Sequence, residues 1–360
     1  MVKFLHTADW QIGMRAERAG EAGTRVRQER FRAAERVIEA ARSSGAEFLL
    51  VAGDTFEHNA VERVSVQAVG DILARFGRPV YIIPGNHDPL SPGSVWEHPV
   101  WRAPNLHVLR EAAPVDAVGA EIFPCPLQEA HGRRDPTAWI PAAADGRIRI
   151  GLAHGSVQGL PQADADFPVA RDAAERAGLD YLALGHWHSH AEFGRMAYSG
   201  SHEQTKFGER ASGYALALEI AGPGAAPAIE PVRTGGLEWV EMARELHSPG
   251  EIQRALADVK AIASPGSALV SVRLTGLMFA DDLGPLAQLR DILGSRFLFG
   301  ELEAAGLRPA PEDAAWIDAI PAGILREAAV RLRDWADPAS SDVAANALLE
   351  LYALAREERA

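Results

Sequence analysis

Cysteine is almost absent. Cys125 is the one thiol in 360 residues, so no disulfide can form within the chain. No basic run or helix start adjoins it to activate the sulfur, and it reads as a small buried filler in a protein of a reducing compartment. Long apolar runs are missing too, since none approaches the roughly 20 residues that cross a bilayer. The opening Met1-Val2-Lys3-Phe4-Leu5-His6 enters a strand directly, without the architecture of a secretory signal. A soluble cytoplasmic protein with no membrane partner is therefore expected. Positive charge is in deficit: 36 Lys and Arg face 49 Asp and Glu, a net charge of −13. That excludes a general polyanion-binding surface, so a nucleic-acid substrate would need local basic patches, bound metal or a partner to draw it in. There is no internal repeat and no low-complexity segment. What is present, 47% hydrophobic and 24% charged residues, is ordinary for a globular chain long enough for two or three domains.

Apolar residues come in short strand-like runs separated by amphipathic stretches. Val2 to His6, Phe48 to Ala52 and Val80 to Ile83 read as buried strands, with helices over Thr24 to Ser44 and Val61 to Phe76 between them. Leu106 to Leu109, Glu121 to Phe123, Arg147 to Ala153 and Tyr181 to Leu184 continue the strand series, with a short helix at Arg171 to Ala177. Met196 to Tyr198 and Tyr214 to Ile220 read as later strands of the same layer, and the prolines around Cys125 suggest a surface excursion. Alternation of this kind implies βαβ units and a mostly parallel sheet. Near Arg233-Thr234-Gly235-Gly236 the pattern changes. We expect a domain over 1–234, a compact α+β unit over 235–310, and a helical tail over 311–360 that is broken at Asp337-Pro338.

Polar side chains gather where the strands end. Asp9 and Gln11 follow the first strand and Asp54 the second. The third runs into Pro84-Gly85-Asn86-His87-Asp88, and later strands deliver His154 and then His186 with His188. Carboxylate, imidazole and amide oxygen suit hard or borderline divalent metals, and loops at one sheet edge can bring such groups together from distant positions. A carboxylate can bridge two metals about 3.5–4 Å apart, a pair able to clamp the attacking and leaving oxygens of a phosphoryl group.

The segments Asp9-Trp10-Gln11, Gly53-Asp54, Gly85-Asn86-His87-Asp88, Gly151-Leu152-Ala153-His154 and Gly185-His186-Trp187-His188, in that order, resemble the calcineurin-like metallophosphoesterases. His6-Thr7-Ala8-Asp9-Trp10, Tyr198-Ser199-Gly200-Ser201 and Phe207-Gly208-Glu209 resemble the SbcD-type DNA repair exonuclease branch. The motifs cover roughly the first 220 residues. The resemblance implies an α/β fold, a four-layer metallophosphoesterase sandwich, with a smaller α+β capping domain and a helical C-terminal tail. One metal would take Asp9, Gln11, Asp54 and His188, and the other Asp54, Asn86, His154 and His186, with Asp54 bridging. His87 resembles the proton donor to the leaving oxygen, and Asp88 is expected to orient it. Where the family usually has histidine this chain has Gln11, whose neutral amide oxygen is a harder and weaker ligand; manganese tolerates it better than zinc.

The activity implied is Mn²⁺-dependent hydrolysis of DNA phosphodiesters, exonucleolytic or endonucleolytic, in DNA repair. Two rivals are a phosphatase or a small-molecule or cyclic-nucleotide phosphodiesterase, and a DNA-end-binding scaffold whose catalysis has lapsed through Gln11. The branch also implies an SMC-like ATPase partner of the SbcC type, gripped by the C-terminal helices; the choice between monomer and homodimer stays open. Other residues have plainer readings. His6 reads as a packing residue, His58 and His190 as solvated loop histidines, and His202 as either a site residue or a loop residue. Arg15, Arg18, Arg25, Arg27, Arg30 and Arg32 interleave with Glu17, Glu21, Glu29 and Glu35, which favours a mixed solvated face over a DNA track. Trp96 and Trp101 read as anchors rather than base-stacking platforms.

Overall fold

The computed structural model describes residues 1–143, 146–159, 166–310, 317–318, 320–335 and 342–357. In chain order the strands are β1 (Val2–Thr7), β2 (Phe48–Ala52), β3 (Val80–Ile83), β4 (Leu106–Val108), β5 (Val115–Ala117), β6 (Ala120–Cys125), β7 (Ile148–His154), β8 (Ser156–Val157), β9 (Pro168–Val169), β10 (Tyr181–Gly185), β11 (Ala191–Phe193), β12 (Met196–Tyr198), β13 (Tyr214–Ile220), β14 (Ala228–Arg233), β15 (Glu238–Leu246), β16 (Ala268–Met278) and β17 (Phe299–Pro309). The helices are α1 (Gly23–Ser43), α2 (Arg63–Ala74), α3 (Ala173–Arg176), α4 (Glu251–Lys260), α5 (Leu283–Arg296), α6 (Ile324–Trp335) and α7 (Asp342–Glu357).

The chain divides into two compact units, Met1–Leu237 and Glu238–Ala360. The first is built on two six-stranded sheets, one in the order β14-β13-β1-β2-β3-β4 and the other β11-β12-β10-β7-β6-β5. β1 to β4 run parallel, as do β6, β7, β10 and β12, so each sheet gathers its catalytic-looking loops at one carboxyl edge. Every residue of β2, β3, β7 and β10 is buried, because these central strands are covered on both faces. Phe4, Phe48, Leu50 and Tyr81 of one sheet meet Ile122, Ile150, Leu152 and Tyr181 of the other in the layer between the sheets. The outer face of the first sheet packs Leu49, Val51 and Ile82 against Val37 and Ile38 of α1 and Val69 and Leu73 of α2. The second sheet's outer face is closed by α3 and its neighbouring segments. The architecture is the four-layer α/β sandwich.

Three sequence readings are corrected. Met196–Tyr198 pairs with β10 in the second sheet, whereas Tyr214–Ile220 pairs antiparallel with β1 in the first, so they do not share a layer. Pro124 and Cys125 are not a surface excursion but the buried end of β6. Arg30 is not solvated. It is 1% exposed, donating to the Trp10 carbonyl at 2.9 Å and the Glu203 carbonyl at 3.0 Å. Trp96 and Trp101 are core residues against Phe56, as read.

In the second unit β15, β16 and β17 form a parallel three-stranded sheet. Leu256 of α4, Leu289 of α5, Ala329 of α6 and Leu348 and Tyr352 of α7 share one core with Val270 and Leu274. The expected break at Asp337-Pro338 lies outside the described residues. No helix among the described residues is long and apolar enough to cross a membrane.

Candidate metal centre

Seven non-glycine residues among those described have positive φ, and four of them are predicted ligands: Asp9 (53°), Gln11 (46°), Asp54 (50°) and His186 (107°). Each such residue costs on the order of 1–3 kcal/mol and persists only where its surroundings over-determine it. Here they do. The loops leaving β1 and β2 stay hydrogen-bonded beyond the strands, with Asp9 N to the Gly53 carbonyl at 3.2 Å, Gln11 N to the Asp54 carbonyl at 3.0 Å and Ile12 N to the Thr55 carbonyl at 3.0 Å. The Asp9 carboxylate in turn accepts the His186 amide at 2.9 and 3.1 Å, joining the first sheet to the second.

Close approach of backbone completes the placement. A Cβ on Gly53 would sit 2.4 Å from Nδ1 of His154, and one on Gly85 would sit 2.2 Å from Oδ1 of Asp54. Glycine is required at both points by what lies against it.

Asp9, Asp54 and His154 each present a ligand atom within 4.8 Å of the others. Nε2 of His154 lies 3.4 Å from Oδ2 of Asp54 and 2.9 Å from Oδ1 of Asn86, and Nδ1 of His186 lies 3.0 Å from the same Asn86 oxygen. Nδ1 of three of the site's rings has a protein partner. Nδ1 of His154 donates to the Ala52 carbonyl at 2.8 Å, Nδ1 of His87 to the Glu57 carbonyl at 3.0 Å, and Nδ1 of His188 faces Oε1 of Glu209 at 2.9 Å. A carbonyl can only accept, so His154 and His87 each keep a proton on Nδ1 and turn Nε2 inward. Gln11 is held through its amide nitrogen, 3.2 Å from Oδ2 of Asp54.

Asp88 is placed differently from its expected role. Its oxygens accept from Gly85 N at 2.7 Å and Phe56 N at 2.9 Å, while the His87 ring rests on Glu57. Asp88 therefore braces the turn and does not orient His87. Burial, with the Asp54 charge adding to it, pushes its carboxyl up to about 7.

The electrostatics suit a cation. Burial pushes Asp9 up to about 6, against the pull of His154 and His188. Burial opposes ionisation of Asp54 as well, but the charge and hydrogen bond of His154 and the nearby His87 outweigh it and hold Asp54 below the usual carboxylate range. Burial likewise disfavours charge on His154, yet Asp54 and Asp9 raise it to about 9. Burial and the His154 charge drive His186 down to about 4. Among the described residues neither Asp9 nor Asp54 has a Lys or Arg ion pair. The cationic partner of Asp54 is His154, itself a candidate ligand, and the oxygen and imidazole donors here fit a divalent ion.

Above the cluster opens a cleft of about 510 Å³, with His87, His186 and His188 on one side and Trp187, Lys206 and Phe207 around it. Sequence reasoning assigned no role to Glu209, although Phe207-Gly208-Glu209 stood out as a motif. It gave no hint of the Glu57 carbonyl, since a backbone acceptor leaves no mark in the sequence. His6 is buried on Tyr181 at 2.9 Å and His202 is buried on Trp10, so neither reaches the cleft. His190 lies 3.2 Å from Glu192, and His58 is exposed and not among the residues that line the cleft.

Comparison with known proteins gives the same region a family. The sequence profile of the calcineurin-like phosphoesterases matches residues 2–190. The uncharacterized metallophosphoesterase YhaO of Bacillus subtilis is 28% identical over 191 residues, covering 49% of this chain and 46% of that protein. The chain thus spans about half the length of this curated relative. The crystal structure of TT1561 of Thermus thermophilus aligns over 65% of this chain and 99% of that one, with 14% identity and a TM-score of 0.44.

Proposed function

The chain belongs to the calcineurin-like phosphoesterase family of metal-dependent hydrolases, and on that premise we propose that it is a manganese-dependent DNA phosphodiesterase of the SbcD-type repair branch. Asp9, Gln11, Asp54 and His188 would hold one metal, and Asp54, Asn86, His154 and His186 the other. The metals, when bound, supply Lewis acidity to the phosphoryl oxygens and make water a better nucleophile at neutral pH.

The remaining steps fall to side chains. With its Nδ1 proton fixed on the Glu57 carbonyl, His87 borders the cleft and, in its imidazolium form, would offer Nε2–H as the acid. As the bond from phosphorus to the sugar oxygen breaks, that proton passes to the departing oxygen and leaves it as a hydroxyl. The His87 main-chain N–H, donating to Oδ1 of Asp54 at 2.9 Å, ties the donor's position to the carboxylate that both metals would share.

One observation carries the choice of a diester. Lys206 is the one Lys or Arg among the described residues that line the cleft, and Asp54 and Glu209 line it too. A phosphate monoester dianion would want more compensating cations than this; a diester carries a single charge. Trp187 and Phe207 line the cleft beside Lys206, aromatic side chains of the kind on which nucleobases stack. A scaffold reading draws on Gln11, whose amide nitrogen faces Asp54, but scaffolding needs no histidine held ready as an acid. An SbcC-type ATPase is proposed as partner of the C-terminal helices, supported by Ile324 at 85% and Val343 at 78% exposure. A cytoplasmic location accords with the single cysteine.

The test is turnover of labelled DNA, bis-p-nitrophenyl phosphate and p-nitrophenyl phosphate with Mn²⁺, for the wild type and His87→Ala. Cleavage of DNA and diester, lost in the variant and on chelation, is the expected result. Preference for the monoester would point to a phosphatase, and DNA binding without turnover to a scaffold.

A further inference from the structure

The second sheet brings more than histidines to its carboxyl edge. β6 pairs parallel with β7, and β7 with β10, so the segment leaving β6 emerges beside His154, with His186 one strand further along the same edge. Its start is tied to both sides of the Asn86–His87 turn: Leu127 N donates to the Pro84 carbonyl at 3.2 Å, and the Leu127 carbonyl accepts from Leu90 N at 2.8 Å. Further on, the Gly132 carbonyl accepts from Phe167 N at 2.7 Å, and a Cβ on Gly132 would sit 2.3 Å from the Phe167 ring. Asp135 then accepts from Thr137 N at 2.8 Å and Ala170 N at 3.3 Å, with Arg176 at 3.5 Å.

Between these two anchor points stand Arg133 and Arg134. Both are exposed, and among the described residues neither has a hydrogen bond or an ion pair. A pocket of about 620 Å³ opens at them, bordered also by Glu129, His131 and Asp166. Asp166 is engaged by His131 at 2.8 Å, and the carbonyls of Asp166 and Phe167 accept from Ser156 N at 3.3 and 3.0 Å, two residues past His154, which puts the pocket next to the metal cluster.

We propose that Arg133 and Arg134 grip the phosphate backbone of the nucleic-acid strand beyond the bond being cut. The inference rests on the DNA diesterase reading and adds where the uncut phosphates go. The chain has 13 more carboxylates than Lys and Arg (49 against 36), and Arg18, Arg25, Arg63 and Arg210 are also exposed without an ion pair among the described residues, so it is position that singles out Arg133 and Arg134. Two adjacent ones left free beside the cluster are therefore the local basic patch that such a chain needs for a polyanion. Guanidinium matches phosphate in a bidentate fork, and the anchors at Gly132 and Asp135 lower the ordering cost of binding. Two carboxylates border the pocket: Asp166, engaged by His131, and Glu129, which has no partner among the described residues and works against the pair.

The test compares wild type, the double variant Arg133→Ala/Arg134→Ala and the charge-keeping Arg133→Lys/Arg134→Lys. Binding of a fluorescein-labelled single strand of about 20 nucleotides is read by anisotropy in EDTA between roughly 50 and 200 mM KCl. In parallel, kcat/KM is read on that strand and on bis-p-nitrophenyl phosphate with Mn²⁺. Loss of two single-strand phosphate contacts makes the salt slope shallower by about 1.4, roughly sevenfold over that fourfold range. The alanine pair should show this slope, with strand kcat/KM falling about tenfold relative to the small diester, and the lysine pair should recover most of it. An unchanged salt slope in the alanine pair overturns the assignment. So does an equal loss on both substrates that lysine does not restore, since that marks a structural role. A wild type that hydrolyses the small ester but neither binds nor cuts the strand defeats the DNA reading itself, and the arginine assignment with it.

Discussion

Nδ1 of His188 lies 2.9 Å from Oε1 of Glu209, and the other oxygen of Glu209 accepts the Thr205 main-chain N–H at 2.8 Å. The Thr205 hydroxyl also donates to this carboxylate. Burial opposes charge on Glu209, but the hydrogen bond and charge of His188 outweigh it and hold its carboxyl below the ordinary range. The arrangement fixes which imidazole nitrogen faces the cleft. In the proposed ligand role, His188 then depends on Glu209 for its aim. Glu209→Ala should weaken metal binding about ten- to a hundredfold, read by calorimetric titration of the apoprotein with Mn²⁺, and Glu209→Gln should fall between. Wild-type affinity in the alanine variant would show that the carboxylate does not align the ring.

Gly85 faces Asp54 across a gap too small for a methyl group. Its Cβ would meet Oδ1 at 2.2 Å and the Asp54 nitrogen at 2.3 Å, and the second of these is backbone. Gly85→Ala must displace the proposed bridging carboxylate, and a shift near 1 Å can cost about a hundredfold in rate. We expect metal-stimulated hydrolysis to fall by that order. Gly222→Ala, where nothing lies within 4 Å, should match wild type.

These two contacts also mark where the sequence was legible and where it was not. Phe48 to Ala52 and Val80 to Ile83 could be read as strands because both faces are buried and the runs are wholly apolar. The polar residues that follow them were legible for the same reason, since a side chain one or two positions past a buried strand has little choice of location. Sheet membership was not legible. Met196–Tyr198 and Tyr214–Ile220 look alike, and only long-range pairing sends them to different sheets. Pro124 misled because proline usually ends a ladder. β5, however, pairs only as far as Ile122, so beyond it one side of β6 has no neighbouring β5 residue to bond. Asp88 misled because adjacency in sequence to His87 is not adjacency in space. The turn folds back so that its carboxylate meets two backbone amides.

Gln11 bears on metal choice. Its amide nitrogen donates to Oδ2 of Asp54, so ligation through the amide oxygen requires the group to turn over and give up that bond. Gln11→His should tighten the weaker of two metal sites by about tenfold, the equivalent of roughly 1.4 kcal/mol, and should favour zinc more than manganese. A two-site titration with each metal decides it. Equal affinities in wild type and variant would remove Gln11 from the ligand set.

His202 makes the first unit acid-sensitive. Its ring stacks on Trp10 at 4.9 Å, Nε2 donates to the Arg30 carbonyl at 2.8 Å, and Nδ1 has no hydrogen-bond partner among the described residues. Burial, with the Arg30 charge adding to it, holds the imidazole well below its ordinary value of 6.5, so it stays neutral in the folded chain. The unfolded chain gains a proton there as pH drops below about 6.5 and the folded chain does not, so stability falls with pH in that window by about 1.4 kcal/mol per unit. His6, driven to about 3 chiefly by burial, has the same sign. Urea midpoints followed through tryptophan fluorescence, in EDTA at about pH 7.5, 6.5 and 5.5, should therefore drop more steeply for wild type than for His202→Gln. The difference in slope should be about 1.4 kcal/mol per unit below roughly pH 6.5 and near zero above it. Parallel profiles would mean that His202 takes up its proton without unfolding. Trp10 and the Arg30 guanidinium would then have to move apart to admit the charge.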